Sequence, residues 1–150
     1  MRGFFKGFQN AFSGIIQSVK LGRNVRIQMV AGVYALLISP FFVKSRAEAG
    51  AVLLTVAMVL SAEIFNTALE RLCDITEPSF NRLIKSAKDI AAGAVLVCAV
   101  FSVLVAAVLF TRPVYFHSFL QFCGAHLWYP IGLVLLMIPG IWFIVGIKRR

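Results

Sequence analysis

Apolar positions recur with helical spacing from the first residues of the chain. Phe5, Phe8, Phe12, Ile15, Ile16 and Val19 make one stripe over residues 2–20, while Lys6, Gln9, Asn10, Ser13, Gln17 and Lys20 fill much of the remaining surface. This pattern predicts an amphipathic helix lying in a membrane interface, too polar to span it. A basic turn, Lys20-Leu21-Gly22-Arg23-Asn24-Val25-Arg26, leads into a first apolar span, Ile27 to Val43. That span is short for a hydrocarbon layer of ~30 Å, so a helical extension through residues 23–26 is expected. Lys44, Ser45, Arg46 and Glu48 form a polar turn before a second span, about Ala49 to Leu72, which Thr76, Glu77 and Pro78 break. Pro78 and Ser79 are starting signals for a helix that places Phe80, Leu83, Ile84 and Ala87 on one side. It runs without a break into a third span, Ile90 to Phe110.

Residues 111–126 carry Tyr115, Phe116, Phe119 and Phe122 and read as an aromatic loop on the membrane surface. A fourth span, about Leu127 to Ile147, has Trp128, Tyr129 and Trp142 near its ends as an aromatic belt. Pro130 fits a first helical turn, and Pro139-Gly140 should kink the helix.

Composition narrows the class. Of 150 residues, 60% are hydrophobic and only 14% charged, which excludes an ordinary soluble domain. The net charge of +9 is read as topology and anionic-lipid contact rather than nucleic-acid binding. No cleavable leader is evident in residues 1–26. Placing the N-terminus inside puts twelve Lys and Arg residues on the inner side, including Arg71, Arg82, Lys85 and Lys148 to Arg150. Only Lys44, Arg46 and Arg112 fall outside, so both termini are expected on the cytoplasmic side. Cys73, Cys98 and Cys123 have no metal spacing and read as apolar fillers. The nine-residue spacing of His117 and His126 matches no standard metal motif.

Candidate chemistry gathers at the inner end of the second span. Glu63, Asn66 and Glu70 are spaced i, i+3, i+7 and share one helical face. Ionisable groups on an apolar helix are expensive and point to a functional site. Asp74, Lys88 and Asp89 are expected at the same depth. Carboxylates near a lysine at a membrane surface suit phosphoryl transfer. One carboxylate can ligate Mg²⁺ together with phosphates. The lysine can neutralise the transferring group, and a second carboxylate can accept a proton from a hydroxyl. The same groups could instead form an ion-pair network that fixes helix packing, or line an ion path. No Walker loop or kinase glycine loop is present, so a soluble nucleotide-binding fold is unsupported.

The motif Glu63-Ile64-Phe65-Asn66-Thr67-Ala68-Leu69-Glu70, with Asp74 and then Ala87-Lys88-Asp89, closely resembles the prokaryotic diacylglycerol kinase family. That family's pattern is E-(I/L)-x-N-(S/T)-A-(I/L)-E-x-x-x-D, then A-K-D at a fixed distance. Phe4-Phe5-Lys6-x-Phe8 and Arg23-Asn24-Val25-Arg26 also fit, and Ala91-Ala92-Gly93-Ala94-Val95 looks more like the undecaprenol kinase branch. The resemblance covers residues 4 to about 110.

It implies an all-α integral membrane protein of the bacterial inner membrane, with an N-terminal surface helix and a three-helix kinase-like core. Here a fourth transmembrane helix would be added, dividing the chain into residues 1–110 and 111–150. The implied activity is ATP-dependent phosphorylation of a lipid alcohol, undecaprenol or, next, diacylglycerol, with Mg²⁺, usually in a homotrimer. By the same resemblance Glu63 would be the general base and Glu70 the Mg²⁺ and nucleotide ligand. Asn10, Asn66, Ser79, Asn81, Lys88 and Asp89 would serve the nucleotide, while Phe8, Phe12, Asn24, Arg26 and Gln28 would flank the lipid.

Two features depart from the family. A metal-binding glutamate normally precedes the R-N pair, where this chain has Gly22, and residues 111–150 extend beyond the usual end. A Gly22→Glu change is expected to restore the ligand and lower the Mg²⁺ requirement. The departures keep an alternative in view: a non-catalytic membrane subunit that binds a partner through its fourth helix. An ion channel is a more distant one.

Overall fold

The computed structural model describes residues 2–76 and 81–147, and the described residues form six helices. They are α1 (Arg2–Leu21), α2 (Arg23–Phe42), α3 (Arg46–Thr76), α4 (Arg82–Phe110), α5 (Pro113–Ala125) and α6 (Trp128–Gly146). Helices α2, α3, α4 and α6 are long and apolar enough to cross a membrane. The chain is thus an all-helical membrane protein.

α1 keeps its Phe4, Phe5, Phe8 and Phe12 exposed, as an interfacial helix requires, and only its last turn packs inward, through Ser18. α2 begins at Arg23, so the expected extension of the first span is present, and Pro40 is taken into its final turn. α3 is 31 residues long and runs past both expected ends. Its buried positions Val52, Val59, Glu63, Asn66 and Cys73 are separated by seven, four, three and seven residues, one helical stripe facing its neighbours. α4 packs along α3 and also contributes Leu109 and Ala91 to the interior. It starts later than expected. Asn81 is its N-cap, accepting a hydrogen bond from the Leu83 amide at 2.9 Å, whereas the expected starting signals Pro78 and Ser79 lie outside the described residues. Most of α4's apolar surface, including Leu96, Phe101 and Leu104, faces away from the chain.

The aromatic stretch expected as a loop is a helix. Pro113 occupies the first turn of α5, where its missing N–H has no cost, and Phe119 and Phe122 lie on one side against Phe41 at 5.1 and 4.9 Å between ring centroids. Phe42 meets Phe110 edge-on at 4.9 Å, joining the same end of α2 to α4. Glu48 and Arg112 pair at 2.7 Å and close the polar turn over α5.

α6 lies along α2, antiparallel to it. Contacts that climb α2 descend α6. Arg26 Nε donates to the Ile144 carbonyl at 3.1 Å, Tyr34 donates to the Leu133 carbonyl at 2.8 Å, and Tyr129 donates back to the Leu37 carbonyl at 2.8 Å. Between them a Cβ on Gly140 would stand 3.3 Å from Val30, so glycine permits the close approach of the two helices. α6 remains helical through Pro139. The three cysteines are free, with Cys73 buried and the others half-buried, as fillers would be. His126 stacks on Phe122, and His117 contacts Gln121 at 3.1 Å.

Candidate functional site on the polar face of α3

The polar face of α3 meets the corner between α1 and α2. Glu63 is 2% exposed, Asn66 5%, and Thr67 is buried beside them. Three buried polar side chains within five residues of an apolar helix require partners. Asn24, in the first turn of α2, is exposed beside this face and interacts electrostatically with the Glu63 carboxyl. Asn66 Nδ2 donates to Glu70 Oε1 at 3.0 Å, one helical turn on. That bond fixes the amide's orientation, since the reverse would set two oxygens face to face. Asn66 Oδ1 is left buried without a hydrogen-bond partner among the described residues. An unmet buried acceptor costs about 1–3 kcal/mol, so this oxygen is a place for a donor or a cation to bind.

Gly22 is the N-cap of α2 and is itself buried. A Cβ there would lie 2.8 Å from Thr67 Oγ1, 2.8 Å from Val25 Cγ2 and 2.9 Å from the Ser18 carbonyl oxygen. The corner therefore rests on α3 through a residue without a side chain. A glutamate at 22, expected to restore a metal ligand, would first have to displace Thr67, Val25 or backbone from that space. Thr67, to which the sequence reading assigned no role, is the residue that sets this distance. Its position one turn after Glu63 on the same face was the available signal.

Below this layer Lys88 of α4 forms an ion pair with Asp74 of α3 and also interacts electrostatically with Glu70. Asp89 is exposed beside it. Asn81 uses its Oδ1 to cap α4. Ser79 lies outside the described residues. On α1, Phe8, Asn10 and Phe12 face outward. Gln28 is half-buried at a groove between α2, α3 and α4 that is otherwise lined by small apolar residues such as Ala31, Gly32, Val56 and Ala106.

Arg26, expected beside the lipid, is turned inward against backbone. It is 3% exposed, and its Nη1 donates to the carbonyls of Val19 at 2.7 Å and Lys20 at 3.2 Å, while Nε reaches Ile144. The last carbonyls of a helix lack intrahelical donors, and one guanidinium here serves the ends of both α1 and α6. Sequence reading missed this because the second helix end lies 118 positions away.

Among the described residues no three His, Cys, Asp or Glu side chains converge as a metal cluster. The hard oxygens suited to Mg²⁺ are the half-buried Glu70 carboxylate and the unpartnered Asn66 Oδ1. They fit a magnesium ion that draws most of its shell from phosphate and water.

A surface helix, a bundle of spanning helices and a Glu-Asn-Glu face on α3, with Glu63 and Asn66 buried and Glu70 half-buried, define a small membrane protein with an acidic site. Comparison with known proteins places it. The family model for prokaryotic diacylglycerol kinase matches residues 9–110, and the chain belongs to that family. It is 40% identical over 108 residues to a diacylglycerol kinase of Synechocystis, a match covering 71% of this chain and 61% of that one. It is 37% identical over 108 residues to an undecaprenol kinase of Bacillus subtilis, covering 71% and 87%. No solved structure matches it. The family match ends at Phe110, so α5 and α6 lie beyond it.

Proposed function

We propose that this protein phosphorylates a membrane lipid alcohol at the expense of ATP, with undecaprenol the first candidate and diacylglycerol the second. The observation that carries the reading is the buried Glu63 carboxyl, one turn from the hydrogen-bonded Asn66–Glu70 pair. Glu63 takes the proton of the lipid hydroxyl as its oxygen attacks the γ-phosphorus, and the bond to the β-γ bridging oxygen breaks, releasing ADP. Glu70 and Asn66 Oδ1 would hold Mg²⁺, which when bound offsets negative charge on the phosphates. Lys88 and Asp89 serve the nucleotide, with Asn81, Ser79 and Asn10 around it. The exposed phenylalanines of α1, Phe8 and Phe12 among them, bring the lipid to the interface, and Gln28 flanks its path. The site faces the cytoplasm of a bacterial inner membrane, with both termini on that side, and the family resemblance supports a homotrimer. Residues 1–110 form the kinase unit and 111–150 an added unit.

Gly22 favours a second reading, a non-catalytic subunit of the same fold that binds a membrane partner through residues 111–150. The test is transfer from labelled ATP in mixed micelles, offering undecaprenol and diacylglycerol separately across a wide Mg²⁺ range. Transfer that depends on Glu63 and Glu70 supports the kinase, and the better lipid assigns the branch. No transfer from folded, assembled protein moves the assignment to the second reading.

A further inference from the structure

The end of the bundle away from Glu63 gathers positive charge on one tyrosine. Phe42 of α2 and Phe110 of α4 meet there, so the turn between α2 and α3 lies beside the turn between α4 and α5. Glu48, in the first turn of α3, is about 22 Å along that helix from Glu63. Each turn supplies a cation to the ring of Tyr115. Lys44 Nζ is 5.0 Å from the ring centroid, and Arg112 Cζ is 5.8 Å from it. An aromatic face attracts cations, but two like charges on one ring repel each other unless an anion stands near. Glu48 is the acid at this end, against Lys44, Arg46 and Arg112. Both of its oxygens are engaged. Oε1 pairs with Arg112 at 2.7 Å, and Oε2 accepts from the Lys44 backbone amide at 2.7 Å. The Lys44 ammonium has no carboxylate partner among the described residues, and Lys44 and Arg46 are both exposed. A guanidinium has five N–H donors, so Arg112 can bond a second anion while it keeps Glu48.

We propose that Lys44, Arg46 and Arg112, gathered around Tyr115, form a binding site for the phosphodiester headgroup of an anionic phospholipid at the membrane surface away from Glu63. Two observations select a lipid over a free phosphate. The turns that carry the cations close helices long and apolar enough to span, so the ligand is met at a bilayer boundary. Directly after Arg112, α5 exposes Val114, Phe116 and Leu120, apolar surface for acyl chains beside the charges. The excess of basic over acidic residues selects an anionic headgroup over a zwitterionic one. Arg112 and Tyr115 lie beyond the residues that the family match covers, so the site depends on the added segment.

The test uses the full chain in nanodiscs of phosphatidylcholine doped with phosphatidylglycerol, a small share of which carries a photoactivatable group at the top of one acyl chain. After illumination, peptide mass spectrometry reads labelling of the segments that hold residues 41–48 and 111–120. Labelling of α1, whose Lys6 and Lys20 are remote from this end, is the reference in each sample. A basic residue at an anionic surface is worth about fivefold in binding. Lys44→Gln leaves the Arg112–Glu48 pair and the Lys44 backbone bond in place, and should cut labelling of both segments about fivefold. Lys44→Gln/Arg112→Gln should cut it by about twentyfold. Tyr115→Leu keeps every charge but lets the cations part, and should cut it about threefold, the worth of an exposed cation–π contact. The same photoactivatable group on phosphatidylcholine should label these segments weakly. Equal labelling by the two lipids overturns the proposal, and so does undiminished labelling in folded Lys44→Gln. An unaltered chain that takes no label in either segment overturns it as well. Displacement of the lipid by inorganic phosphate, but not by chloride at the same ionic strength, would make the ligand a free phosphate and overturn the lipid assignment.

Discussion

Gly22 and Thr67 are in direct contact across the α1–α2 corner: a Cβ on residue 22 would stand 2.8 Å from Thr67 Oγ1. The neighbouring obstructions are the Ser18 carbonyl, which is backbone, and Val25 of the same turn, so the contact cannot be relieved by one flexible side chain. Gly22→Ala should therefore destabilise the protein by about 1–3 kcal/mol, the usual cost of overpacking. Thermal melting in detergent reads this. Gly22→Glu should be worse, and its Mg²⁺ response should not improve. A Gly22→Glu protein as stable as the parent and active at lower Mg²⁺ would mean that the corner moves away from Thr67 when substrates bind.

Glu63 is the group on which the proposed chemistry depends. Glu63→Gln keeps the size of the side chain and a hydrogen-bonding amide in its place, so folding and assembly should be preserved. Loss of a positioned general base lowers turnover by roughly 10²–10⁴-fold. Labelled phosphate transfer measured beside size-exclusion elution checks both halves, and a variant that retained most of its turnover would remove Glu63 from the role of base.

Much of this arrangement was legible in the chain. The i, i+3, i+7 spacing places Glu63, Asn66 and Glu70 together because a long, uninterrupted helix leaves no freedom for them to part, and α3 is such a helix. The interfacial helix and the spans follow from apolar periodicity for the same reason. What was not legible depends on contacts between distant segments. Arg26 was expected beside the lipid by the family resemblance, and its charge alone does not reveal what it bonds. Its partners are backbone carbonyls, which have no residue-type signature. Gly22 looked like a missing ligand, since nothing in sequence shows that Thr67 occupies the adjoining space. The α5 helix was hidden by its aromatic density and the flanking Pro113. That proline starts the helix, and the rings pack on Phe41 and Phe42.

Asn66 separates two uses of one amide. Its Nδ2 steadies Glu70, while its Oδ1 is buried without a partner among the described residues. Asn66→Ala should lose both, raising the Mg²⁺ needed for half-maximal activity by about tenfold or more, at least the loss that removing an outer-shell partner causes. Asn66→Asp retains an oxygen in place of Oδ1 but removes the donor to Glu70. If the oxygen is the metal-facing part, Asn66→Asp should bind Mn²⁺ more tightly than Asn66→Ala, read by paramagnetic resonance in the presence of ATP. Equal Mn²⁺ affinity in the two variants would assign the residue to orienting Glu70 alone.

Lys88 is paired with Asp74, and both side chains are substantially exposed. Exposed ion pairs add little to stability, so Lys88→Met should melt close to the parent. A lysine that neutralises nucleotide phosphate contributes charge-assisted bonds made only when ATP is present. Its loss should therefore raise the KM for ATP by about tenfold while the KM for the lipid is unchanged. Asp74→Asn provides the converse. It leaves the lysine charged but frees it from its partner on α3, so the KM for ATP should change in the opposite direction or stay level. An equal rise in both variants would show that the Lys88–Asp74 pair, rather than the free ammonium, is what the nucleotide site needs, and would make the pair a brace between α3 and α4.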